Sequence, residues 1–462
     1  MINVQLSQLA EVLDAELVGE DMVISAVSTD TRQIGADTLF VALIGERFDA
    51  HDFAQNACEQ GAKALLVSKH LPIALPQLIV ADTHAALGQL GAWLKALMER
   101  EYGLQTVALT GSCGKTTVKE MTAAILAEKG KVLATGGNFN NDIGVPLTLL
   151  RLEPQHEYAV IELGANHQGE IAYTTDLVKP QVALINNLAA AHLEGFGSLQ
   201  GVAKAKGEIF QGLATGEAGT AIINLDSNDR ALWQPLLYGH PVMTFSATRE
   251  DADYHATDIN INNLGRACFT MRTPAGEFPV SLTLAGEHNV ANALAAAALA
   301  MALGATPAQV QAGLGLVANV KGRVDITEPR TNLRLIDDTY NASVASVKAA
   351  IDLLAGFAGQ RWFVLGDMAE LGDDSAALHR EVGEYAQGKA LDQVLTFGVA
   401  SEVVSSLNGG KHFNNKTALI ETLKQQLEPL LNDDNIQVTV LAKGARSSRM
   451  EEVIVALQDN KE

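Results

Sequence analysis

Near-continuous apolar runs recur along this chain, separated by stretches with helical spacing. Val107–Thr110, Tyr158–Leu163, Val182–Asn186 and Ala221–Asn224 are such runs. Continuous rather than alternating apolar strands belong to a parallel sheet covered on both faces. Between about 241 and 284 the pattern changes to shorter alternating segments, including Ala267–Arg272 and Pro279–Leu284, which predicts antiparallel strands. An alanine-rich helix is expected over 288–303. A further α/β alternation then places strands at Leu333–Asp337, Trp362–Gly366, Val394–Phe397 and Val438–Ala442. Residues 1 to about 84 hold shorter elements, with strand-like runs at Thr38–Ile44 and Ala64–Val67. The reading is an α/β protein of three domains, 1–84, 85–320 and 321–462, with a break near Gly322. The central one carries a mostly parallel sheet plus antiparallel strands.

At 462 residues the chain is too long for one ordinary core. It is 47% apolar and 19% charged, the balance of a globular protein rather than a disordered one. The net charge of −21 argues against broad binding to nucleic acid or anionic membranes, so a phosphorylated ligand must be gathered by local cations and backbone amides. The N-terminus has no basic region before an apolar core, so no signal peptide is visible. Val290–Leu303, the most apolar stretch, is too short to span a bilayer. Cys58, Cys113 and Cys268 are odd in number and widely spaced, as expected of a reduced cytoplasmic protein.

The clearest chemical signal is LQTVALTGSCGKTT at Leu104–Thr117. An apolar strand turns through Gly111, Ser112, Cys113 and Gly114 into Lys115, Thr116, Thr117 and a helical pattern. Glycines let backbone N–H groups close around phosphate oxygens, and the helix N-terminus favours their charge. Lys115 can reach the terminal phosphates and Thr116 can hold Mg²⁺. The form is a shorter variant of the common GxxxxGK[ST] loop, since Leu109 stands where the first Gly would fall. This predicts an ATP site.

Four more segments concentrate polar residues at strand ends. Gly136–Pro146 mixes asparagines, Asn138 and Asn141 among them, with glycines; alone it reads as a turn. Glu162 closes a buried strand, where ligands of parallel sheets bind, and is a candidate Mg²⁺ ligand. His192 follows the next strand; an imidazole there can coordinate metal or simply pack. Lys204 and Lys206 lie in a predicted helix, where a lysine is ordinarily solvated. In Gly286–Asn292, polar residues cap a helix start.

Together these segments resemble the Mur ligases of bacterial cell-wall synthesis, over essentially the whole chain. The matching stretches include Ser28-Thr29-Asp30-Thr31-Arg32, LIGERFDAHDF at Leu43–Phe53, TGSCGKTT, GNFNNDIGVP, ELGANHQGEI and the His192–Lys206 stretch. GEHNVANALAAA, Lys321-Gly322-Arg323, DDTYNA at Asp337–Ala342, GDMAELG at Gly366–Gly372 and Lys443–Ser447 complete the set. TGxxGKT and HNxxN are shared with folylpolyglutamate synthases. ELGANHQGEI, DDTYNA and GDMAELG favour the branch that adds D-alanyl-D-alanine, and no DNPR segment of the diaminopimelate-adding branch is present.

The resemblance implies a UDP-substrate domain, a central P-loop ATPase domain and a C-terminal Rossmann-like domain receiving the amine. Its substrates would be UDP-N-acetylmuramoyl-tripeptide, ATP and D-alanyl-D-alanine, used by a monomer with Mg²⁺. Lys115 would bind the β/γ-phosphates, and Thr116, Glu162 and His192 would hold metal. Lys206 would be a carbamylated lysine supporting a second Mg²⁺. Asn289 and Asn292 would contact adenine, Arg323 the phosphates or ribose, and Asp338 the ribose. Ser28, Thr29, Asp30, Thr31 and Arg32 would hold the uridine nucleotide, and Asn138 and Asn141 the substrate. Ala445 departs from the usual KGSR pattern.

Overall fold

The computed structural model describes residues 1–45, 47–190, 192–214, 219–227, 230–318 and 321–458. Glu46 and Ala191, which fall within stretches quoted above, lie outside the described residues.

The N-terminal sheet has five strands: Glu16–Val18 (β1), Ala26–Ser28 (β2), Thr38–Val41 (β3), Ala64–Val67 (β4) and Gln77–Ile79 (β5). Their order is β1-β5-β4-β3-β2, parallel except for the β1/β5 pair. Helix α1, Thr83–Tyr102, follows. Asp82 caps its start by accepting the N–H groups of His84 and Ala85, and Gly103, at φ +70°, ends it. Its Leu87, Leu90, Leu94 and Met98 recur every three or four residues on one buried stripe. That stripe joins Leu39 and Leu66 of the first sheet to Ala108 and Ile161 of the next in one core. The first two units are therefore packed as one body of apolar contacts.

The central sheet contains Gln105–Thr110 (β6), Val132–Ala134 (β7), Tyr158–Glu162 (β8), Val182–Ile185 (β9), Thr220–Asn224 (β10), Val242–Ser246 (β11), Tyr254–Ile261 (β12), Arg266–Thr273 (β13) and Gly276–Ala285 (β14). The order is β14-β13-β12-β11-β10-β9-β6-β8-β7. Pairing is parallel from β7 to the start of β12 and antiparallel only for β12/β13 and β13/β14. The antiparallel region expected from about 241 thus begins at Tyr254. The chain between β10 and β11 carries a helical turn at Arg230–Trp233, a crossover that sets β11 parallel. Helices Lys115–Ala127 (α2), Glu170–Val178 (α3), Leu193–Phe196 (α4), Leu199–Gly207 (α5) and Asn289–Ala302 (α6) accompany this sheet.

The C-terminal sheet contains Asp325–Arg330 (β15), Leu333–Asp338 (β16), Gln360–Gly366 (β17), Gln393–Phe397 (β18), Lys411–Phe413 (β19) and Val438–Lys443 (β20). The order is β15-β16-β20-β17-β18-β19, parallel apart from the β15/β16 hairpin. Alternate residues feed two cores. Ile336, Phe363 and Leu441 pack under Val344–Ala355 (α7) and Ser375–Gln387 (α8). Leu335, Trp362 and Val440 pack under Lys416–Leu431 (α9) and Glu451–Gln458 (α10). This doubly covered parallel sheet is Rossmann-like, as expected. Ala285, at the end of β14, packs into the α7/α8 core and joins the central unit to the C-terminal one. Among the described residues no helix is long and apolar enough to cross a membrane.

Candidate active site

The phosphate loop forms as the sequence predicts. Strand β6 ends at Thr110, and α2 starts at Lys115 with Gly114 as its cap at φ +75°. A Cβ on Gly114 would stand 2.6 Å from Asn292 Oδ1 and 2.8 Å from Asn186 Nδ2, so the position has room only for glycine. The loop is strapped to the segment after β9. Asn187 accepts the Ser112 N–H at its carbonyl (3.0 Å) and the Cys113 N–H at its side chain (2.8 Å). Asn186 Nδ2 donates to the Cys113 carbonyl (2.9 Å) and to Asn292 Oδ1 (3.1 Å). Asn292 Nδ2 donates to Asn289 Oδ1 (2.8 Å), and Asn289 Nδ2 to the Ala285 carbonyl (2.7 Å). Lys115 Nζ donates to the Gly111 carbonyl at 2.8 Å, and burial pushes its pKa down.

The end of β8 brings oxygen donors together. Glu162 is buried; it accepts the Thr116 hydroxyl at 3.0 Å and Asn140 Nδ2 at 2.8 Å. His192, at φ +54°, opens α4 and sets its Nδ1 against the Glu370 carboxylate, which holds that carboxyl below its usual range. Lys206 on α5 is 1% exposed, and its Nζ has no hydrogen-bond partner among the described residues. The amine lies 5.4 Å from the centre of the Phe196 ring. Burial, aided by the Lys115 charge, brings its pKa down to about 7. Lys204, on the same helix, is exposed.

A cavity of about 550 Å³ opens between the central and C-terminal units. Ser112 through Thr117, Asn138, Asn141, Glu162, His192, Asn289 and Asn292 line it from the central side. Arg323, stacked on Tyr340 at 4.2 Å, and Asp338, paired with Lys443 at 2.5 Å, line it from the other side. Cys113 Sγ and Ser343 Oγ meet across the gap at 3.2 Å. Lys206 sits behind this wall. The Ser28–Arg32 segment is elsewhere, at the end of β2, where Asp30 caps a short helical turn and grips Arg32. That pairing lowers the Asp30 pKa to about 2.

Family models cover most of the chain. They are described as Mur ligase family, catalytic domain (residues 23–96), Mur ligase middle domain (109–300) and Mur ligase, glutamate ligase domain (322–446). This chain belongs to the Mur ligase family. It is 54% identical to the UDP-N-acetylmuramoyl-tripeptide–D-alanyl-D-alanine ligase of Escherichia coli, over 100% of this chain and 99% of that protein. The Haemophilus influenzae protein of the same description is 50% identical, over 99% of both. Among solved structures, MurF from Acinetobacter baumannii superposes with a TM-score of 0.92 at 36% identity, covering 100% of both chains. MurF from Thermotoga maritima in complex with ADP gives 0.80 at 25%, covering 94% and 97%.

Two features of this Mur ligase escape a reading by single residues. Lys443 and Glu370 lay in quoted segments but were given no role, and both line the cavity. Asn186, expected only as a strand end, and Asn187 carry the side chains that fix the phosphate loop. Among the described residues no three His, Cys, Asp or Glu side chains converge. The grouping that does form is Thr116 with Glu162, while His192 turns to Glu370.

Proposed function

We propose that this Mur ligase joins D-alanyl-D-alanine to UDP-N-acetylmuramoyl-tripeptide, with ATP converted to ADP and phosphate. The observation that carries the reading is the cavity itself. Its central wall presents the phosphate loop with Lys115, Thr116 and Glu162, and its other wall belongs to a separate domain able to deliver an amine. The full-length identities to proteins of that description support the choice of substrates. We divide the labour as 1–84 for the uridine nucleotide, with Arg32 exposed for it, 85–320 for ATP and 321–462 for the dipeptide. The site is assembled from one chain, which suits a monomer working in the cytoplasm, where ATP and reduced thiols coexist.

A carboxylate does not condense with an amine at neutral pH, so the tripeptide carboxylate first takes the γ-phosphoryl group of ATP. Lys115 faces that transfer, and neutralising developing charge is its task. The amine then attacks the acyl carbon and phosphate leaves. The wall contributed by Arg323, Asp338 and Lys443 excludes water from an intermediate that hydrolyses readily. Hard oxygen donors at Thr116 and Glu162 fit Mg²⁺, which prefers few protein ligands beside phosphates. Bound there, it would neutralise phosphate charge.

Lys206 fits a carbamate: its amine is buried, without a hydrogen-bond partner among the described residues, and uncharged in about half of the molecules at neutral pH. Such an amine adds CO₂ and loses a proton, becoming an anion able to support a second Mg²⁺. Lys206→Ala is expected to be nearly inactive and partly restored by acetate or formate, with Lys204→Ala close to wild type. Equal losses at both lysines would remove the carbamate. For the reaction, UDP-tripeptide and ATP incubated with a panel of amines should give the UDP-pentapeptide mass only with D-alanyl-D-alanine, with one phosphate released per product. Ligation of a different amine would overturn the reading.

A further inference from the structure

Among the described residues four carboxylates line the cavity, and three of them are held by groups of their own unit. Glu162 holds Thr116 and Asn140. Glu170 accepts the Asn166 N–H at 2.8 Å and meets His167 at 3.0 Å. Asp338 is matched by Lys443. Glu370 differs. It comes from the C-terminal unit, its side chain is 48% exposed, and it reaches across the cleft to His192, within electrostatic reach of Lys115.

Its placement is built. Glu370 adopts φ +62°, a conformation costly for a side-chain-bearing residue. The loop that imposes it is anchored at two successive residues just ahead of Glu370. Buried His379 accepts the Met368 N–H at 3.0 Å. Asp367 accepts three successive N–H groups, from Val399 (2.7 Å), Ala400 (3.1 Å) and Ser401 (2.8 Å). The GDMAELG segment thus holds one carboxylate where the phosphoryl-side cations of the central unit face the amine-side unit. Lys115 on the central wall and Arg323 and Lys443 on the opposite one are cations that would repel an incoming ammonium, and the one carboxylate beside the latter two, Asp338, is already paired with Lys443.

Resting on the ligase reading above, we propose that Glu370 binds the α-ammonium of the incoming dipeptide, exchanging His192 for it, and that this nitrogen meets the acyl carbon as the free amine once one of its protons has passed to the Glu370 carboxylate. The imidazole nitrogen now against the carboxylate marks where the amine nitrogen is held. A charge-assisted hydrogen bond of this kind discriminates for a free α-amine and against neutral analogues. Glu370 is then a specificity-determining residue for the second substrate and has no part in ATP binding.

The test crosses two changes: Glu370→Gln in the enzyme, and loss of the ammonium in the ligand. In the wild type, KM for D-alanyl-D-alanine is compared with the inhibition constant of propionyl-D-alanine, which keeps the shape and lacks the amine. The Gln variant should raise KM for the dipeptide at least about tenfold and leave propionyl-D-alanine within about twofold. KM for ATP and for UDP-tripeptide should stay within about twofold. Glu370→Asp, which keeps the charge on a shorter arm, should recover part of the preference. Equal weakening of both ligands, or an unchanged KM in the Gln variant, would overturn the proposal. Failure of the wild type to make pentapeptide from D-alanyl-D-alanine would instead overturn the ligase reading.

Discussion

Replacing Lys206 by methionine should make the protein more stable while abolishing its activity. The methionine side chain is similar in length and unbranched, so the packing around α5 is conserved. What is removed is an amine that is 1% exposed and without a hydrogen-bond partner. Its pKa falls from 10.5 in the unfolded chain to about 7 in the fold. At 1.36 kcal/mol per unit, that shift costs about 5 kcal/mol of stability wherever the unfolded lysine is charged and the folded site resists the charge. Half of that would still raise Tm by roughly 5–10 °C for a domain of this size. The sign with pH is fixed by proton counting. Above about 10.5 neither state holds the proton, and the variant has no advantage. Between about 7 and 10.5 the unfolded chain binds a proton that the folded one lacks, so wild-type stability climbs with pH. Below about 7 the full cost is present. Thermal melts of both proteins in CO₂-depleted buffer from pH 6 to 10.5 should therefore show a gap that is widest at the acid end and closes toward the alkaline one. A gap that stays constant with pH, or a methionine variant that melts lower than wild type, would refute a buried, uncharged amine at this position.

On the proposed function Lys115→Ala should reduce turnover at least about 100-fold, because the charge that would neutralise the transferring phosphoryl group is lost; steady-state phosphate release measures it. Arg32→Ala should raise KM for the UDP-substrate and leave KM for D-alanyl-D-alanine within about twofold, because Arg32 lies on the N-terminal unit away from the cavity. A change confined to the dipeptide would reverse the division of labour.

Much of the scaffold was legible because its signals are local. Val107–Thr110 and Tyr158–Leu163 announce buried parallel strands by unbroken apolarity, and Gly114 before Lys115 announces a helix start that needs positive φ. The parallel setting of Val242–Ser246 was not legible, because the direction of a strand is set by the crossover before it. Glu162 could be suspected from its position at a strand end. Its partners Thr116 and Asn140 come from segments 46 and 22 residues away and are joined only by folding. Lys206 shows the limit most clearly: an isolated lysine on a helix reads as solvated, and only the burial of α5 turns it into a perturbed amine. The contact of His192 with Glu370 joins two domains and leaves no trace in either segment alone.

The asparagine series beside the phosphate loop has a direction. From Asn186 through Asn292 to Asn289, each amide presents its NH₂ to the next oxygen; the line ends on the Ala285 carbonyl, and Asn186 also donates to the Cys113 carbonyl. Turning Asn289 or Asn292 over would bring oxygen against oxygen on one side and hydrogen against hydrogen on the other, and turning Asn186 over would set its oxygen against two others, so no member can reverse alone. Chemical ageing is therefore costly here. Deamidation of one of these asparagines exchanges a donor for a charged acceptor and breaks a line that begins under the Gly111–Gly114 loop and ends at Ala285, packed into the C-terminal core. A molecule damaged in this way would lose the shape of its phosphate loop with its lysine, threonine and glutamate all still in place.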